Sequence, residues 1–144
     1  MADPTTDTVF DKIIRGEIPA QKVYEDDGVI AILDINPLAE GHCLIIPKEP
    51  APTMGELSDD AAAALGRVLP RVCRAVRRVT GCPALNVLEN DGSEAGQEIP
   101  HVHVHVIPRF PDRDPGSGLR KTWAPIAVDQ EALAELGRKI ARLL

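Results

Sequence analysis

The sequence predicts an α+β fold built on a mostly antiparallel sheet. Three short strand-like segments come first, a long segment with helical spacing follows, and two more strand-like segments precede a last helix. This order of elements is typical of the α+β class. The chain has 144 residues, of which 44% are apolar and 26% charged. We therefore expect residues 1–144 to form a single domain around one core.

The first half of the chain predicts one short helix and three strands. The helix spans 9–14, and Gly16 is placed to cap its C-terminus. The predicted strands are 22–25, 29–33 and 42–46. Pro47 is expected to end the third strand, and a turn at 26–28 joins the first two. Residues 1–7 are polar and acidic, and we expect them to be a flexible N-terminus.

The longest helical pattern begins after Ser58, a favourable N-cap, and ends at Gly81. Its apolar positions recur at helical spacing: Leu65, Val68, Leu69, Val72, Cys73, Val76 and Val79. Pro70 lies inside this pattern and predicts either a kink or two joined helices. Strands 84–88 and 101–107 follow, with a turn-rich loop between them.

The C-terminal part predicts a loop and a helix. Residues 111–125 are polar and rich in glycine and proline, and we expect an ordered loop that lies over the domain. Asp129 is expected to cap a helix at 129–143. The apolar stripe of this helix comprises Leu133, Leu136, Ile140 and Leu143.

Charge and cysteine content limit the classes of partner and the compartment. The formal net charge of -6 argues against a nucleic-acid coat or an anionic membrane surface as partner. The three cysteines, Cys43, Cys73 and Cys82, form no Cys-x-x-Cys pair, which indicates reduced thiols. The N-terminal residues lack the basic-then-apolar pattern of a signal peptide, and no apolar run is long enough to span a bilayer. We expect a cytoplasmic protein.

Three of the four histidines fall at alternate positions in one predicted strand, and His42 opens another strand. His101, His103 and His105 therefore share one face, and the intervening valines share the other. The valine face is expected to pack on the core, and the histidine face to line a polar surface or cleft. A solvent-exposed strand that happens to carry histidines is the alternative interpretation.

A metal site is the second alternative. Neighbouring histidines on this strand are roughly 6.6 Å apart at their Cα atoms, and the outer pair roughly 13 Å. A zinc ion needs nitrogen ligands at about 2.0–2.1 Å. Three histidines in a row cannot easily meet one ion, although His42 with one pair is geometrically possible.

Phosphate chemistry explains the histidine row better. A neutral imidazole is a competent nucleophile, and a phosphoryl-imidazole intermediate divides one difficult substitution into two easier ones. The neighbouring imidazoles can hold the phosphate, orient the nucleophile and protonate the leaving group. The loop before the strand contains Gly92 and Gly96, which permit close approach of backbone N–H groups to an anion.

At His101-Val102-His103-Val104-His105-Val106-Ile107 the sequence resembles the defining motif of the histidine triad (HIT) family. Further segments resemble the family's N-terminal, central and phosphate-loop regions: 10–19, 34–37 with 41–42 and 46–48, and 90–97. The likeness extends from about Val9 to Arg109 and is greatest to small Hint-like bacterial members. It implies a five-stranded antiparallel sheet with two main helices, and a homodimer with a continuous sheet.

The resemblance also implies a function and a role for each matching residue. His103 would attack the α-phosphate of a nucleotide, and water would then cleave the nucleotidyl-histidine to a nucleoside monophosphate. His105 and His42 would contact the phosphate or leaving group, and the backbone carbonyl of His101 would hold the attacking ring in its tautomer. Asp34 would bind the ribose hydroxyls. The remaining nucleotide-binding residues would be Val9, Phe10, Ile13, Ile18 and Ile35 around the base, and Asn90, Gly96, Gln97 and Glu98 near the phosphate.

Several of these residues also have ordinary structural explanations. Asp34 is also placed to cap a turn before Asn36, but we favour ribose binding because a carboxylate is a natural partner for a diol. Phe10, Ile13 and Ile18 are equally suited to a hydrophobic core. Asn90 is a common turn residue.

The sequence departs from the family pattern at the zinc site and after Gln97. Many bacterial relatives bind a structural zinc through two cysteines, a histidine and the first triad histidine, but here Thr8, Asp11 and Pro50 occupy three of these positions. We therefore predict no zinc and no other cofactor. Glu98 occupies the place of a hydroxyl residue that assists the leaving group. It would repel phosphate, accept protons or point away.

Three hypotheses follow for the function. The leading one is a hydrolase or transferase acting on a nucleotide phosphoramidate, a dinucleoside polyphosphate or another adenylylated compound. The second is a nucleotide-binding module whose catalysis is weak or lost, which Glu98 suggests. The third is a metal-binding protein that uses the histidine cluster.

Overall fold

The computed structural model describes residues 7–113, 126–127 and 129–144. Five antiparallel strands form one sheet in the order β1-β2-β3-β5-β4. The strands are β1 (Lys22–Glu25), β2 (Val29–Leu33), β3 (Cys43–Pro47), β4 (Ala84–Leu88) and β5 (Val104–Arg109). The helices are α1 (Val9–Ile14), α2 (Asp59–Thr80) and α3 (Gln130–Ala141), with short 3-10 turns at Met54–Glu56 and Ser93–Ala95. The predicted α+β fold with a five-stranded antiparallel sheet and two main helices is confirmed.

The central strands of the sheet are covered on both faces. On one face, alternate strand residues pack against α2: Val29, Ala31, Cys43, Ile45, Val104 and Val106. On the other face, the alternate set packs against α1: Ile30, Ile32, Leu44 and Ile46, with Phe10 and Ile13. Four consecutive residues of β2, Val29 to Ile32, are therefore buried. The face that carries α1 is also the face that carries the candidate site.

The long helix α2 begins and ends where its capping residues predict. The Ser58 hydroxyl accepts a hydrogen bond from Ala61 N at 3.1 Å, and Gly81 takes the left-handed conformation at φ 72°. The helix runs without interruption through Pro70, so the alternative of two joined helices is wrong. Pro70 is exposed, and the packing of the helix on the sheet through Val68 and Val72 outweighs the one hydrogen bond that proline removes.

Four strand boundaries differ from the prediction, because β3 is Cys43–Pro47 instead of 42–46 and β5 is Val104–Arg109 instead of 101–107. Pro47 lies within β3, because β5 pairs only with Cys43–Ile45 and no ladder partner on that side requires its missing N–H. The strand β5 begins at Val104 instead of residue 101. Residues 101–103 precede the strand: Val102 N donates to Ala51 O at 2.8 Å, so this segment bonds to a loop and not to a neighbouring strand.

The C-terminal helix is capped as predicted by Asp129, whose carboxylate accepts from Ala132 N at 3.0 Å. Its apolar stripe is exposed, with Leu136 at 53% and Leu143 at 89%. Most of the predicted loop at 111–125 lies outside the described residues, as do residues 1–6 of the predicted flexible N-terminus. No helix within the described part of the chain combines the length and the apolar character needed to cross a membrane.

Candidate active site

The alternating run places its histidines and valines on opposite faces of the sheet, as predicted. Val102, Val104 and Val106 are 0–5% exposed and belong to the core under α2. The histidine face, however, is not an open surface. His101 and His103 are only 1% and 8% exposed, and His42 is 3% exposed. The interpretation as a solvent-exposed strand is therefore wrong, because Phe10 of α1 packs against the rings of His101 and His103, and His42 packs against that of His105.

The ring of His103 is held in a single tautomer. Its Nδ1 lies 2.7 Å from the carbonyl oxygen of His101, and only a protonated nitrogen can donate to that oxygen. In the neutral ring the lone pair is then on Nε2. The Phe10 ring packs against His103 with 4.9 Å between ring centroids and 62° between the ring planes, which restricts rotation of the imidazole.

The ring of His101 is directed away from this lone pair. Its Nε2 donates to the carbonyl oxygen of Pro47 at 2.7 Å, and its Nδ1 lies 3.6 Å from the carboxylate of Asp11. The side chain of His101 therefore makes contacts inside the protein, while its backbone carbonyl faces His103. The resemblance to the family implied such a contact between the His101 carbonyl and the ring of His103.

His42 and His105 form a hydrogen-bonded pair whose proton positions follow from one backbone donor. Leu38 N donates to His42 Nδ1 at 3.0 Å, so a neutral His42 carries its proton on Nε2. That Nε2–H donates to His105 Nδ1 at 2.9 Å. A neutral His105 therefore carries its own proton on Nε2. The rings of His103 and His105 are 5.1 Å apart at their centroids.

Burial keeps these imidazoles neutral. Desolvation lowers the pKa of His103 below its ordinary value, although the hydrogen bond to the His101 carbonyl opposes this effect. Desolvation, with the nearby rings of His103 and His42, lowers the pKa of His105 to about 4. Desolvation also lowers the pKa of His42, against the attraction of Asp34. At neutral pH the site thus presents an acceptor nitrogen on His103 and a donor nitrogen on His105.

Asp34 lies at the edge of the histidine pair. One carboxylate oxygen accepts from Asn36 N at 2.8 Å, which is the turn-capping contact considered from the sequence. The other oxygen is 3.5 Å from His42 Nε2. Asp34 therefore caps its turn and also faces the histidines, so the structural role does not remove it from the site.

Asp34, His42 and His105 bring three possible metal-ligand atoms within 4.8 Å of one another. The hydrogen-bond network works against an ion at this position. Leu38 N–H occupies the Nδ1 lone pair of His42, so the nitrogen that faces His105 and Asp34 carries a proton. Metal coordination requires a lone pair on that nitrogen. The proton of a neutral His42 would then move to Nδ1, and the hydrogen bond from Leu38 N would be lost.

The loop before the histidines, which contains Gly92 and Gly96, is held by hydrogen bonds of the Gln97 side chain. Gly92 and Gly96 have φ values of 99° and 94°, which other residues rarely adopt. The Gln97 amide accepts from Gly92 N at 2.7 Å and donates to the carbonyls of Pro52 and Ile99 at 2.6 and 2.9 Å. The side chain of Gln97 therefore fixes the loop, and any contact with a ligand is left to its backbone.

The residues predicted to surround a base divide into two groups. Phe10 and Ile13 are 3% and 6% exposed and belong to the core, and Ile18 packs partly buried against them. Ile35 and Val9 are 87% and 39% exposed. Asn90 is partly buried beside Gly96, and Glu98 is exposed. The structure thus places Phe10 against the triad, whereas Ile35 and Glu98 lie at the surface.

Sequence reasoning missed several groups that organise the site. The carbonyl of Pro47 and the N–H of Leu38 orient His101 and His42, but backbone groups have no side-chain signature in a sequence. Asp11 was noted only as a residue that replaces a zinc ligand. The available signal was that relatives use this position, together with the first triad histidine, to bind one zinc ion, which places the two side chains close together.

Comparison with known proteins agrees with this geometry. The HIT domain family model matches residues 15–112. The chain therefore belongs to the HIT family, as its histidine motif indicated. A crystal structure of a HIT family member from Bacillus subtilis superposes with a TM-score of 0.87 at 37% identity, covering 96% of this chain and 97% of that one.

Two relatives have names that describe an activity. The chain is 50% identical over 103 residues to a protein named adenylylsulfatase HINT3 from Arabidopsis thaliana. That match covers 72% of this chain but only 52% of the plant protein, so the chain spans about half the length of that relative. It is 38% identical over 133 residues to a protein named adenosine 5'-monophosphoramidase hnt1 from Schizosaccharomyces pombe, covering 92% and 95% of the two chains.

Proposed function

We propose that this protein is a nucleotide hydrolase or transferase that cleaves at the α-phosphate through a nucleotidyl intermediate on His103. The observation that carries the proposal is the 2.7 Å contact between His103 Nδ1 and the His101 carbonyl. It leaves Nε2 as the lone-pair nitrogen of a ring whose pKa is lowered by burial. A neutral ring with a fixed orientation is what a nitrogen nucleophile requires.

The reaction follows from these proton positions. The Nε2 lone pair of His103 forms a bond to the α-phosphorus, and the bond from phosphorus to the leaving group breaks. The positive charge that develops on the ring is stabilised by the His101 carbonyl at Nδ1. Attack of water on the phosphorus then breaks the P–N bond, releases a nucleoside monophosphate and restores His103.

His105 and His42 serve the phosphate and the leaving group. The Nε2–H of His105 is available to donate to a phosphate oxygen, and the Nδ1 of the same ring is held by His42. The charge of a bound phosphate raises the pKa of nearby imidazoles. His105 then donates its Nε2 proton to the departing group, and the proton released by the attacking water in the second step returns to His105.

We place the nucleoside on the α1 side of the histidines. Asp34 binds the ribose hydroxyls through the oxygen that faces His42, which lies 3.5 Å away. The exposed side chains of Val9 and Ile35, with Ile18, contact the base, and Phe10 and Ile13 support this slot from the core. Backbone N–H groups of the loop containing Gly96 receive the phosphate, near Asn90.

The family and the names of its relatives support nucleotide substrates with an α-phosphate linked to a good leaving group. Phosphoramidates, dinucleoside polyphosphates and adenylylated compounds are the classes we propose. Incubation with adenosine phosphoramidate and with diadenosine polyphosphates should release AMP, measured by chromatography. His103→Asn should reduce the rate by at least about a thousandfold while the protein stays folded. Undiminished release by folded His103→Asn would reject His103 as nucleophile.

A nucleotide-binding module with weak catalysis is the second candidate function, and Glu98 favours it. An exposed carboxylate next to the braced loop adds negative charge where a phosphate would bind. Glu98→Ser tests this candidate, with Glu94→Ser on the same loop as the control. If Glu98 suppresses catalysis, only the first substitution increases AMP release. Equal rates of AMP release in wild type and Glu98→Ser would show that Glu98 does not suppress catalysis.

We propose that the active form is a homodimer. The exposed apolar stripe of α3 supports a second copy as partner, since such a stripe is stable in water only when covered. A groove of about 380 Å³ on the α2 face, lined by apolar side chains such as Val68, Val72 and Val79, also supports it. Sedimentation should give a dimer, and Leu136→Lys should weaken it if α3 takes part.

We also propose that the protein works in the cytoplasm and without a nucleic-acid or membrane partner. The free thiols of Cys43, Cys73 and Cys82 support a reducing compartment. The net charge of -6 supports the absence of a polyanionic partner. Fractionation with an antibody, and binding assays with DNA and anionic vesicles, test these points.

A further inference from the structure

The apolar groove of about 380 Å³ lies between α2 and the strands β1 to β3. Core side chains form its floor: Val68 and Val72 of α2 and Cys43 of β3 are at most 6% exposed. The apolar side chains at its rim are uncovered, since Val79 is 86% exposed and Val23 is 52% exposed. Contiguous apolar surface of this kind marks a place where another apolar surface binds. We call this surface the α2 groove.

Helix α3 presents a second uncovered apolar surface, the stripe that ends near Leu143. Its members within the helix are 48%, 53% and 53% exposed: Leu133, Leu136 and Ile140. Every residue of α3 is exposed, so this helix buries no side chain against the other described elements of the chain. An apolar stripe on a helix indicates that another surface covers it. The chain therefore carries both an uncovered groove and an uncovered helix.

The two surfaces match in the spacing of their side chains and in length. The α2 residues along the groove follow one another in steps of four, three and four: Val68, Val72, Ala75 and Val79. The residues of the α3 stripe follow in steps of three, four and three: Leu133, Leu136, Ile140 and Leu143. Alternating steps of three and four align side chains in a seam along which two helices pack side by side. At 1.5 Å per residue, the two seams are roughly 16 Å and roughly 15 Å long.

Small residues allow the two helices to approach each other closely. Ala75 lies in the middle of the seam on α2. On α3, Ala132 and Gly137 lie at the edges of the stripe, each four positions from a leucine. Small side chains at a contact favour the short end of the usual interaxial range of about 8–10 Å. The leucine and isoleucine side chains of α3 can then reach the floor of the α2 groove.

We propose that the α2 groove is the docking site for α3 of a second copy of this chain, so that two copies exchange their C-terminal helices. A reciprocal exchange about a twofold axis covers both grooves and both stripes. Residues 114–128 join Arg113 to Asp129, and a link of this length can span up to roughly 50 Å, which is enough to reach another subunit. The inference rests on the proposed homodimer for its partner and names the surfaces that meet. Docking of α3 in the groove of its own chain is the alternative.

Sedimentation of glutamate variants tests whether these two surfaces hold the dimer together. Val79→Glu places a charge at the rim of the groove, and Leu136→Glu places one on the stripe. Ala63→Glu and Ala134→Glu are the controls, because they add the same side chain to the same helices outside the two seams. The dimer Kd should rise by about tenfold or more in the first two variants and stay within about twofold in the controls, with all four proteins folded by circular dichroism.

The failures of this inference and of the proposed homodimer are distinguishable. An unchanged Kd in Val79→Glu and Leu136→Glu, with a dimeric wild type, would overturn the exchange and leave the proposed homodimer intact. A wild type that stays monomeric at every concentration would reject the homodimer itself, and the exchange with it.

Disulfide trapping identifies the copy that supplies α3. Copies with Val79→Cys and a mass tag are mixed with copies that carry Leu136→Cys, allowed to exchange subunits and oxidised. The exchange predicts a disulfide-linked pair of one tagged and one untagged chain. The same mixture of wild-type copies gives the background from the chain's own thiols, and Ala134→Cys in place of Leu136→Cys should stay at that background. In a chain that carries both Val79→Cys and Leu136→Cys, a linked monomer would overturn the exchange in favour of α3 in its own groove. Absence of any link above background would overturn the groove as the docking site of α3.

Discussion

Mild acid should destabilise this fold through its buried imidazoles, most clearly through His105. The pKa of His105 is about 4 in the folded protein, against an ordinary value of 6.5. Between these values the unfolded chain binds the proton and the folded chain does not. The stability contributed by this group is therefore complete above pH 6.5 and is lost as the pH falls toward 4. With about 1.4 kcal/mol per pKa unit, the loss from His105 between pH 7 and pH 5 is about 2 kcal/mol.

Urea unfolding at pH 7, 6 and 5 measures this loss, with His105→Gln as the variant that cannot titrate. The free energy of unfolding of wild type should fall by about 2 kcal/mol more than that of His105→Gln over this range. Carboxylates whose pKa is lowered, such as Asp26, titrate below this window and affect both proteins equally. Parallel curves for the two proteins would show that burial does not hold His105 neutral, and the proton positions assigned to the site would lose their basis.

Three further substitutions test the packing around the site, each by urea unfolding. Phe10→Ala removes a ring that is 3% exposed and should cost about 3–5 kcal/mol; a cost below about 1 kcal/mol would mean that the ring is not packed as described. Gly41→Ala should cost about 1–3 kcal/mol, because a Cβ would lie 2.7 Å from the Thr80 side chain at φ +93°; a neutral effect would contradict this contact. Gln97→Ala should cost about 1–3 kcal/mol and raise KM, since the loop loses its internal brace; an unchanged KM would separate the loop from binding.

The elements of this fold are predictable where local chemistry decides them. Ser58, Gly81 and Asp129 mark helix ends because their side chains or backbone angles satisfy terminal groups within a few residues. The predicted strand boundaries are wrong where the backbone hydrogen bonds are made with residues far away in the sequence. Residues 101–103 have the alternation of a strand, yet their backbone bonds to a loop that includes Ala51. The residues next to Pro47 in the sequence do not indicate that the pairing of β5 with β3 ends at Ile45.

The candidate site divides in the same way. Period-two alternation was sufficient to place His101, His103 and His105 on one face, opposite the buried valines. It could not show that α1 covers this face and buries the rings, because that is a tertiary contact. The partners that set the tautomers of His42 and His101 are backbone groups of Leu38 and Pro47. Such partners depend on the folded path of the chain and not on residue type.

The apolar residues near the site show a further limit of prediction from sequence. Phe10 and Ile13 were expected around a base, with a core role as the alternative, and both are core residues. Hydrophobicity favours both environments, so sequence alone does not separate a binding slot from the core beneath it. Ile35 is 87% exposed, but single apolar side chains are common at protein surfaces, so its exposure does not by itself assign it to a ligand.

The most direct test of the central claim is to trap the covalent intermediate. Wild-type protein is mixed with adenosine phosphoramidate, quenched at short times and examined by intact mass and peptide mapping. The account predicts a transient increase by the mass of one adenylyl group, located on His103 and absent from His103→Asn. An adduct on another residue, or rapid turnover in which no protein-bound nucleotide forms at any time, would contradict it.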